Sequence, residues 1–356
     1  MAKMSTKFVR ICAGTVAAVA VTGLGFSASA SAATPPPSVP AGFSTTVFAH
    51  AGGKLTGADD IARLGDKLFV GYQNGVGSQG EPAADGTRNS TVVEFDKHGK
   101  EVGHWDVAGK VDGLGADKRT GQVVATVNED GNSSAYTIDP DGKHHAVKHY
   151  RFSSLPHGGG TDNVSVRHGV VYIVASNPTA DAKGSTAGRP ALYKVTFHGT
   201  TAKTTPIFDD NITATNLVTG KTGALNLTDP DSSTFVPCGV PGLGGSLLLD
   251  GQGDQQAVFV KSWGTKKQRA DVLLLSQQVD DTAFATSTEG TLYVVDSAKG
   301  EIITVTGHFT KGEAFVSAKN GLGTLSLKTG TITAFGNTVT SPKGLLFVAA
   351  DHGKRK

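Results

Sequence analysis

Sulfur is scarce in this chain of 356 residues, which holds 2 cysteines and 2 methionines. Cys12 lies in the N-terminal apolar stretch behind Val9, Arg10 and Ile11, a context unlike that of a lipid-modified cysteine, and Cys238 stands alone in "VPCGVPG". One cysteine closes no internal disulfide, so the fold must hold without covalent staples. No base is recognisable near Cys238 in sequence, and the thiol is expected to be buried and inert. Met1 and Met4 belong to the same N-terminal stretch, so a chain cut after it offers oxidants no thioether.

Long apolar runs are also few. "ICAGTVAAVAVTGLGF" follows Lys3, Lys7 and Arg10 and precedes the small residues Ala30, Ser31 and Ala32, the three parts of a secretory signal. The run is too short and too poorly flanked for a permanent membrane span, and no second one follows. The expectation is therefore a secreted, extracellular chain whose residues 1–32 are removed. That removal takes three positive charges and no acids, so the formal balance of +2 becomes −1. A near-neutral surface without Lys/Arg clusters argues against nucleic acid as a partner. The terminal "HGKRK" reads as a solvated tail with at most a weak attraction to anionic cell wall or lipid. A Gly-x-Ser-x-Gly elbow, a dinucleotide fingerprint and a zinc signature are all missing.

Apolar periods near 3.6 sustained over ten residues are hard to find, whereas glycine is abundant at 47 residues and alternation dominates. In "STVVEFDKHGKEVGHWDV", Val93, Phe95 and, past His98 and Gly99, Val102 fit a two-stranded hairpin. The same strand, turn and strand occur in "SAYTIDPDGKHHAVKHY", "ALYKVTFHGTTAKTTPIF" and "LGTLSLKTGTITAFG". Each hairpin follows a recurring outline of acids, a short apolar stretch, a Gly turn and an apolar strand. That outline is visible in "ADDIARLGDKLFVGY", "VDGLGADKRTGQVVATV", "TDNVSVRHGVVYIVAS" and "VDDTAFATSTEGTLYVVDSAKG".

Units of four strands thus begin near residues 56, 111, 160, 224 and 279, with one more assembled after Gly312. About 50 residues per four-stranded unit is the spacing of a β-propeller blade. The fold expected is all-β, a propeller of six blades of four antiparallel strands. Seven is the alternative, because "GEAFVSAKNG" fits either a fourth strand or a first. "SPKGLLFVAAD" and "GFSTTVFAH" are expected to share a sheet and close the ring by pairing the terminal strands. The expected segments are a signal peptide at 1–32, an extended leader at 33–42, one propeller domain at 43–352 and a basic tail at 353–356.

"SPKGLLFV", "VDGLGADKRTGQVVATV" and "EGTLYVVDSAKGEIITVTG" resemble blades of the NHL and SMP-30/gluconolactonase type of six-bladed propeller. In that type a P-x-G-[LI] opening precedes a Gly turn, an LYV-x-D strand and a G-x-I hairpin. The resemblance implies a divalent-metal-assisted hydrolase of a lactone or related ester. Its metal polarises a carbonyl while a carboxylate activates water. The family draws its ligands from a Glu near the first blade, two Asn or Asp in the middle and a late Asp. Here the first blade offers Asp59 and Asp60 instead of Glu.

The first strand of each blade lines the central tunnel, so side chains near its beginning crowd around one mouth. The candidates are Asp59, Asp60, Asp112, Asp162, Asp229, Asp231, Asp280 and Asp281. Like charges so close repel unless a cation, a donor network or protonation relieves them. Ca²⁺, which accepts six to eight oxygens without strict geometry, or another divalent metal is the cofactor considered, with Asp162, Asp229 and Asp280 as its ligands. Asn128, Glu129, Asn163 and Asn177 add oxygens to the same polar site. The competing account is structural: Asp at a strand start often accepts neighbouring turn N–H groups.

In "HGGGTDN", His157 stands beside three glycines, either a backbone that approaches a ligand or a tight lead into a blade. His144, His145 and His149 read as exposed hairpin residues, and Asp250 and Asp254 in "LLLDGQGDQQ" as part of a hairpin. "YQNGVGSQGEPAADGTRNS" is long for a loop inside a blade and could cover the tunnel mouth. The expected partner is a small polar ligand or an extracellular polymer or protein, bound by a monomer. Three classes stay open: a metal-assisted hydrolase, a binding propeller, and an interaction module whose acids pair with turns.

Overall fold

In a computed structural model the chain divides into two units, 1–36 and 37–356. The structure describes residues 38–50, 52–53, 55–142 and 147–350. The proposed signal peptide, most of the leader, His144, His145 and the basic tail lie outside those residues. Among the described residues every regular element is a strand, and no helix is long and apolar enough to cross a membrane.

Local sequence explains the strands. Runs such as "QVVATV" (Gln122–Val127) and "GTLYVVD" (Gly290–Asp296) are rich in β-branched side chains, which suit an extended backbone. Tight turns end them. Between Asn89–Phe95 and Glu101–Ala108, one Asp96 carboxylate oxygen accepts the N–H groups of His98 and Lys100 at 2.8 and 3.0 Å. Gly99 in that turn has φ 79°, and a Cβ there would lie 1.9 Å from the Phe48 carbonyl oxygen. No other residue fits both constraints.

The strands form antiparallel meanders stacked side by side around an axis. One sheet runs in order from Ala58–Leu64 through Lys67–Tyr72 and Asn89–Phe95 to Glu101–Ala108. Two further meanders begin at Val111–Asp117 and Gly160–Arg167. Their outermost strands, Val147–Phe152 and Thr201–Asp209, make a short parallel pairing that fuses them into one eight-stranded sheet. The sheet headed by Pro230–Phe235 has six strands, because the hairpin Thr213–Asn216 and Thr222–Ala224 adds to its outer edge. The strands Ala58–Leu64, Val111–Asp117, Gly160–Arg167, Pro230–Phe235, Val279–Phe284 and Pro342–Ala349 each contact the next, and the last returns to the first. Inner strands in a closed circle with meanders running outward make a propeller-like, all-β architecture.

The last two sheets depart from simple sequence order. Val279–Phe284 pairs with Ala314–Ala318, followed by Gly321–Leu325 and Ile332–Ala334. The hairpin Gly290–Asp296 and Glu301–Gly307, which lies between them in sequence, joins the other sheet beside Pro342–Ala349. "VDDTAFATSTEGTLYVVDSAKG" is therefore split between two sheets, although it reads as one continuous unit. "GEAFVSAKNG" is neither a first strand nor a fourth; its strand lies second from the axis. The first strand, Phe43–His50, does share a sheet with Pro342–Ala349, but as its opposite edge, with the 290–307 hairpin between them. The terminal strands thus close the ring through that hairpin and not by pairing with each other.

Apolar side chains fill the space between adjacent sheets. Phe309 packs edge-on against Phe43, Phe315 and Phe347, at ring distances of 5.2, 5.7 and 5.0 Å, and so joins the two interleaved sheets. Phe259, Leu273, Phe284 and Val316 form the corresponding layer one sheet back. Such burial, at roughly 25 cal/mol per Å² of apolar surface, is what holds a chain with no disulfide.

One feature repeats in all the inner strands. Each slips out of register with its neighbour near its start: at Asp59 and Asp60, Asp112, Asp162 and Asn163, Asp231 and Ser232, Asp280, and Lys343 and Gly344. A β-bulge re-aims side chains at the point where it occurs. Here it turns one polar residue per strand toward the mouth.

Candidate functional site: the acid-lined mouth

The bulges build a cavity of about 200 Å³ at one end of the tunnel. Asp59, Asp112, Asp162, Asp231, Asp280 and Lys343 occupy equivalent bulge positions in its wall. Lys110 and Glu129 enter from flanking turns. The next residue along the strand does something else. Asp60 accepts the backbone N–H groups of Ile61 and Leu114, both at 2.7 Å, and the side-chain amide of Asn163 at 3.2 Å. Asp281 accepts those of Thr282 and Leu345 at 2.7 Å, and the Asn163 side-chain oxygen accepts Ser233 N–H at 3.1 Å. Asp60, Asn163 and Asp281 thus tie alternate inner strands to the next. They also separate the mouth from a second cavity of about 360 Å³ farther along the tunnel, since they line both.

The ring charges are relieved unequally. Lys343 bonds Asp280 and stands 3.9 Å from Asp59, and Gln252 donates to Asp280 at 3.2 Å. Lys110 bonds Glu129 and lies 3.0 Å from Asp112, which also receives Gln73 at 3.2 Å and the Glu129 N–H at 3.1 Å. Asp162 has neither kind of help. Its residue is 7 % exposed, among the described residues no lysine or amide donor reaches its side chain, and the neighbouring charge that acts on it most is that of Asp231.

Electrostatics follow that geometry. Burial first, then Asp231, pushes Asp162 well above the usual carboxylate range, and burial followed by Asp280 does the same to Asp231. Like charges in a buried site raise each other's affinity for protons. Burial also pushes Asp59 up to about 7, against the pull of Lys343, and lifts Asp60 and Asp112. For Lys110 and Lys343, burial opposes the charge, but the carboxylates beside each outweigh it and keep both ammonium groups protonated.

Several expected site residues take other places. His157 is fully buried, its Nδ1 2.8 Å from the Tyr193 hydroxyl and its Nε2 2.6 Å from the Gly160 carbonyl oxygen, so both ring nitrogens are used in packing. Asn128 folds back on Lys110 N–H at 2.9 Å and on the Asn132 carbonyl at 3.0 Å, holding its turn. Asp229 sits one position before the inner strand and accepts Ser176 Oγ at 3.3 Å; Asp231 takes the wall position. Asn177 donates to Asp130 at 3.0 Å. A preformed metal triad of Asp162, Asp229 and Asp280 is not found: no group of three or more His, Cys, Asp or Glu among the described residues is placed to hold a metal ion. The physical reason is that Asp229 lies outside the wall, bonded to Ser176, and Asp280 is already bonded by Lys343 and Gln252, which leaves Asp162 without its two expected companions.

Asp250 is buried behind Ser232, which donates to it at 3.0 Å, and burial pushes it up to about 7. Asp254 caps Thr228, accepting its N–H at 2.6 Å. Cys238 is exposed and not buried as expected, because it lies in a tight surface turn that Val240 N–H closes on the Pro237 carbonyl at 3.0 Å. The long segment 73–88 docks on the 128–132 turn through Asp130 N–H to Ser78 O at 3.2 Å, and Gln73 from it lines the mouth. Sequence reading missed Lys110 and Lys343. The signal for Lys343 was available, since "PKGL" aligned on "VDDT" puts Lys343 where Asp280 stands.

Fold and site together define a propeller-like all-β protein with a charged, mostly acidic mouth. No family model matches the chain, and no curated protein does. Among solved structures, a protein of unknown function from Bacteroides caccae is similar at 9 % identity and TM-score 0.45, over 82 % of this chain and 87 % of that one. A luciferin-regenerating enzyme is similar at 12 % identity and TM-score 0.37, over 72 % of this chain and 80 % of that one. The WD40 β-propeller domain of Doa1 is similar at 10 % identity and TM-score 0.41, over 86 % and 88 %. Likeness at these values extends neither to function nor to the roles of residues.

Proposed function

We propose that this chain is an exported, six-bladed propeller that binds a small, positively charged polar ligand at the acidic mouth of its tunnel. The observation that carries the reading is the set of five aspartates at equivalent bulges around one axis, facing a common cavity. With Glu129 they make six acids against the two lysines Lys110 and Lys343, so a cation entering the cavity relieves repulsion that the chain alone relieves incompletely. The six-blade count rests on the six inner strands, each heading a meander of its own, and export rests on the N-terminal signal pattern. In this reading the protein binds ligand as a monomer and need not catalyse.

Calcium, or another divalent metal, is the second reading, favoured by the same ring of carboxylates and by the NHL/SMP-30 resemblance, which adds lactone or ester hydrolysis. Two lysines in the wall weigh against it, because a doubly charged ion would have to displace their contacts. The test is a thermal scan of the purified chain with organic cations, calcium, simple carboxylates and neutral sugars at constant ionic strength, beside elemental analysis. Cations alone should raise the melting temperature, and Asp112→Asn with Asp280→Asn should abolish the rise. Equal stabilisation by anions or neutral sugars would sink the reading. Bound calcium lost to chelator would move the assignment to the divalent-metal reading and justify a lactone and ester screen.

A further inference from the structure

The ring contains three pairs of acidic side chains, and two have an ammonium group supplied by the chain itself. Lys343 serves Asp280 and Asp59, and Lys110 serves Asp112 and Glu129. The third pair, Asp162 and Asp231, has no lysine within 4.0 Å among the described residues; Lys343 bonds Asp280 and acts on Asp231 only from farther off. Amide donors follow the same division. Gln252 supports Asp280 and Gln73 supports Asp112, while Asp162, more than nine-tenths buried and lining the cavity, receives no backbone or side-chain N–H among the described residues.

We infer that Asp162 and Asp231 are the docking point for the primary ammonium group of a small organic amine, held as the chain's own lysines hold the other two pairs. The inference rests on the cation-binding reading of the mouth and names the class of ligand within it. An ammonium brings three N–H donors on a compact charge, matching two adjacent acceptor groups. A divalent ion needs six to eight oxygens, and here the neighbouring carboxylates already bond ammonium and amide groups. A cavity of about 200 Å³ admits a small aliphatic amine beside the lysine side chains.

The test uses the full chain and three probes in calorimetry: n-butylamine hydrochloride, n-butanol and calcium chloride. Butylamine should bind one to one, while n-butanol should not bind. Asp162→Asn should weaken butylamine at least tenfold and melt no lower than the parent at neutral pH, so that lost binding is not lost fold. Asp231→Lys supplies the third ammonium from within the chain and should abolish binding while raising the melting temperature. Butylamine binding unchanged in either variant overturns the inference. Calcium binding that depends on Asp162, with no competition from butylamine, overturns it too but leaves the cation-binding mouth standing. If neither cation binds at all, both readings fall.

Discussion

The Asp281 carboxylate accepts the backbone N–H of Leu345 at 2.7 Å, joining an inner strand to its neighbour in the ring. Asp60 repeats the contact with Leu114 at the same distance. These acids are braces, whereas the acids one position earlier in their strands, Asp280 and Asp59, face the mouth. Two consecutive aspartates with one sequence signature thus have separate duties, and each duty can be tested.

Removing a brace should cost stability and leave the mouth chemistry intact. Asp60→Ala strips acceptors from two buried N–H groups, each worth about 1–3 kcal/mol when left unpaired. Chemical denaturation should show a loss of roughly 2–4 kcal/mol for Asp60→Ala. The surviving folded protein should still bind cations. A variant as stable as the parent would remove the bracing role.

Lys343→Met should destabilise, because it strands Asp280 and Asp59 beside each other. Lys343 is partly exposed, so the loss expected is about 1–3 kcal/mol, below that of a fully buried pair. Adding Asp280→Asn should recover most of it in a double-mutant cycle. No recovery would mean that the lysine stem, and not its charge, supports the mouth.

Acidification should stabilise the chain in the absence of ligand. Burial pushes Asp59, Asp250 and Asp281 up to about 7, and raises Asp162 and Asp231, so the native state holds more protons than the unfolded chain. Stability from such raised carboxyl groups is fully present below their unfolded value of about 4 and is lost as pH rises through about 7. Melting temperatures should therefore be higher near about pH 5 than near about pH 8, and Asp162→Asn should flatten the difference. A melting temperature that climbs with pH over that window would contradict the charge balance described for the mouth.

Replacing His157 by Leu should cost about 1–3 kcal/mol by leaving the Tyr193 hydroxyl and the Gly160 carbonyl without their partner. Cation affinity should not change. Loss of binding in a stably folded His157→Leu protein would return this histidine to the site from which its burial excludes it.

Much of this was legible in the sequence for a local reason. Period-two alternation marks strands, Gly and Asp mark the turns, and the hairpins at 89–108 and 190–209 are found where the pattern puts them. The ring acids Asp59, Asp112, Asp162 and Asp280 were visible because each opens the same outline. What escaped was non-local. The stretch "ATSTEG" has the composition of a hairpin turn, yet it carries the chain from one sheet to the next, since pairing partners depend on strands some thirty residues away. His157 looked like a ligand because its partner, Tyr193, is 36 positions distant. Lys343 was overlooked because its neighbours read as a strand opening and not as chemistry.

The interleaving of the last two sheets also governs how the molecule can be assembled. The hairpin 290–307 waits for an inner strand made some forty residues later, and its other flank is taken by the strand at 43–50. The sheet of 279–334 can finish before the last strand is made, but the sheet holding 290–307 cannot, so the C-terminal strand acts as a latch, and a chain stopped short of it leaves that sheet without its inner strand and the ring open.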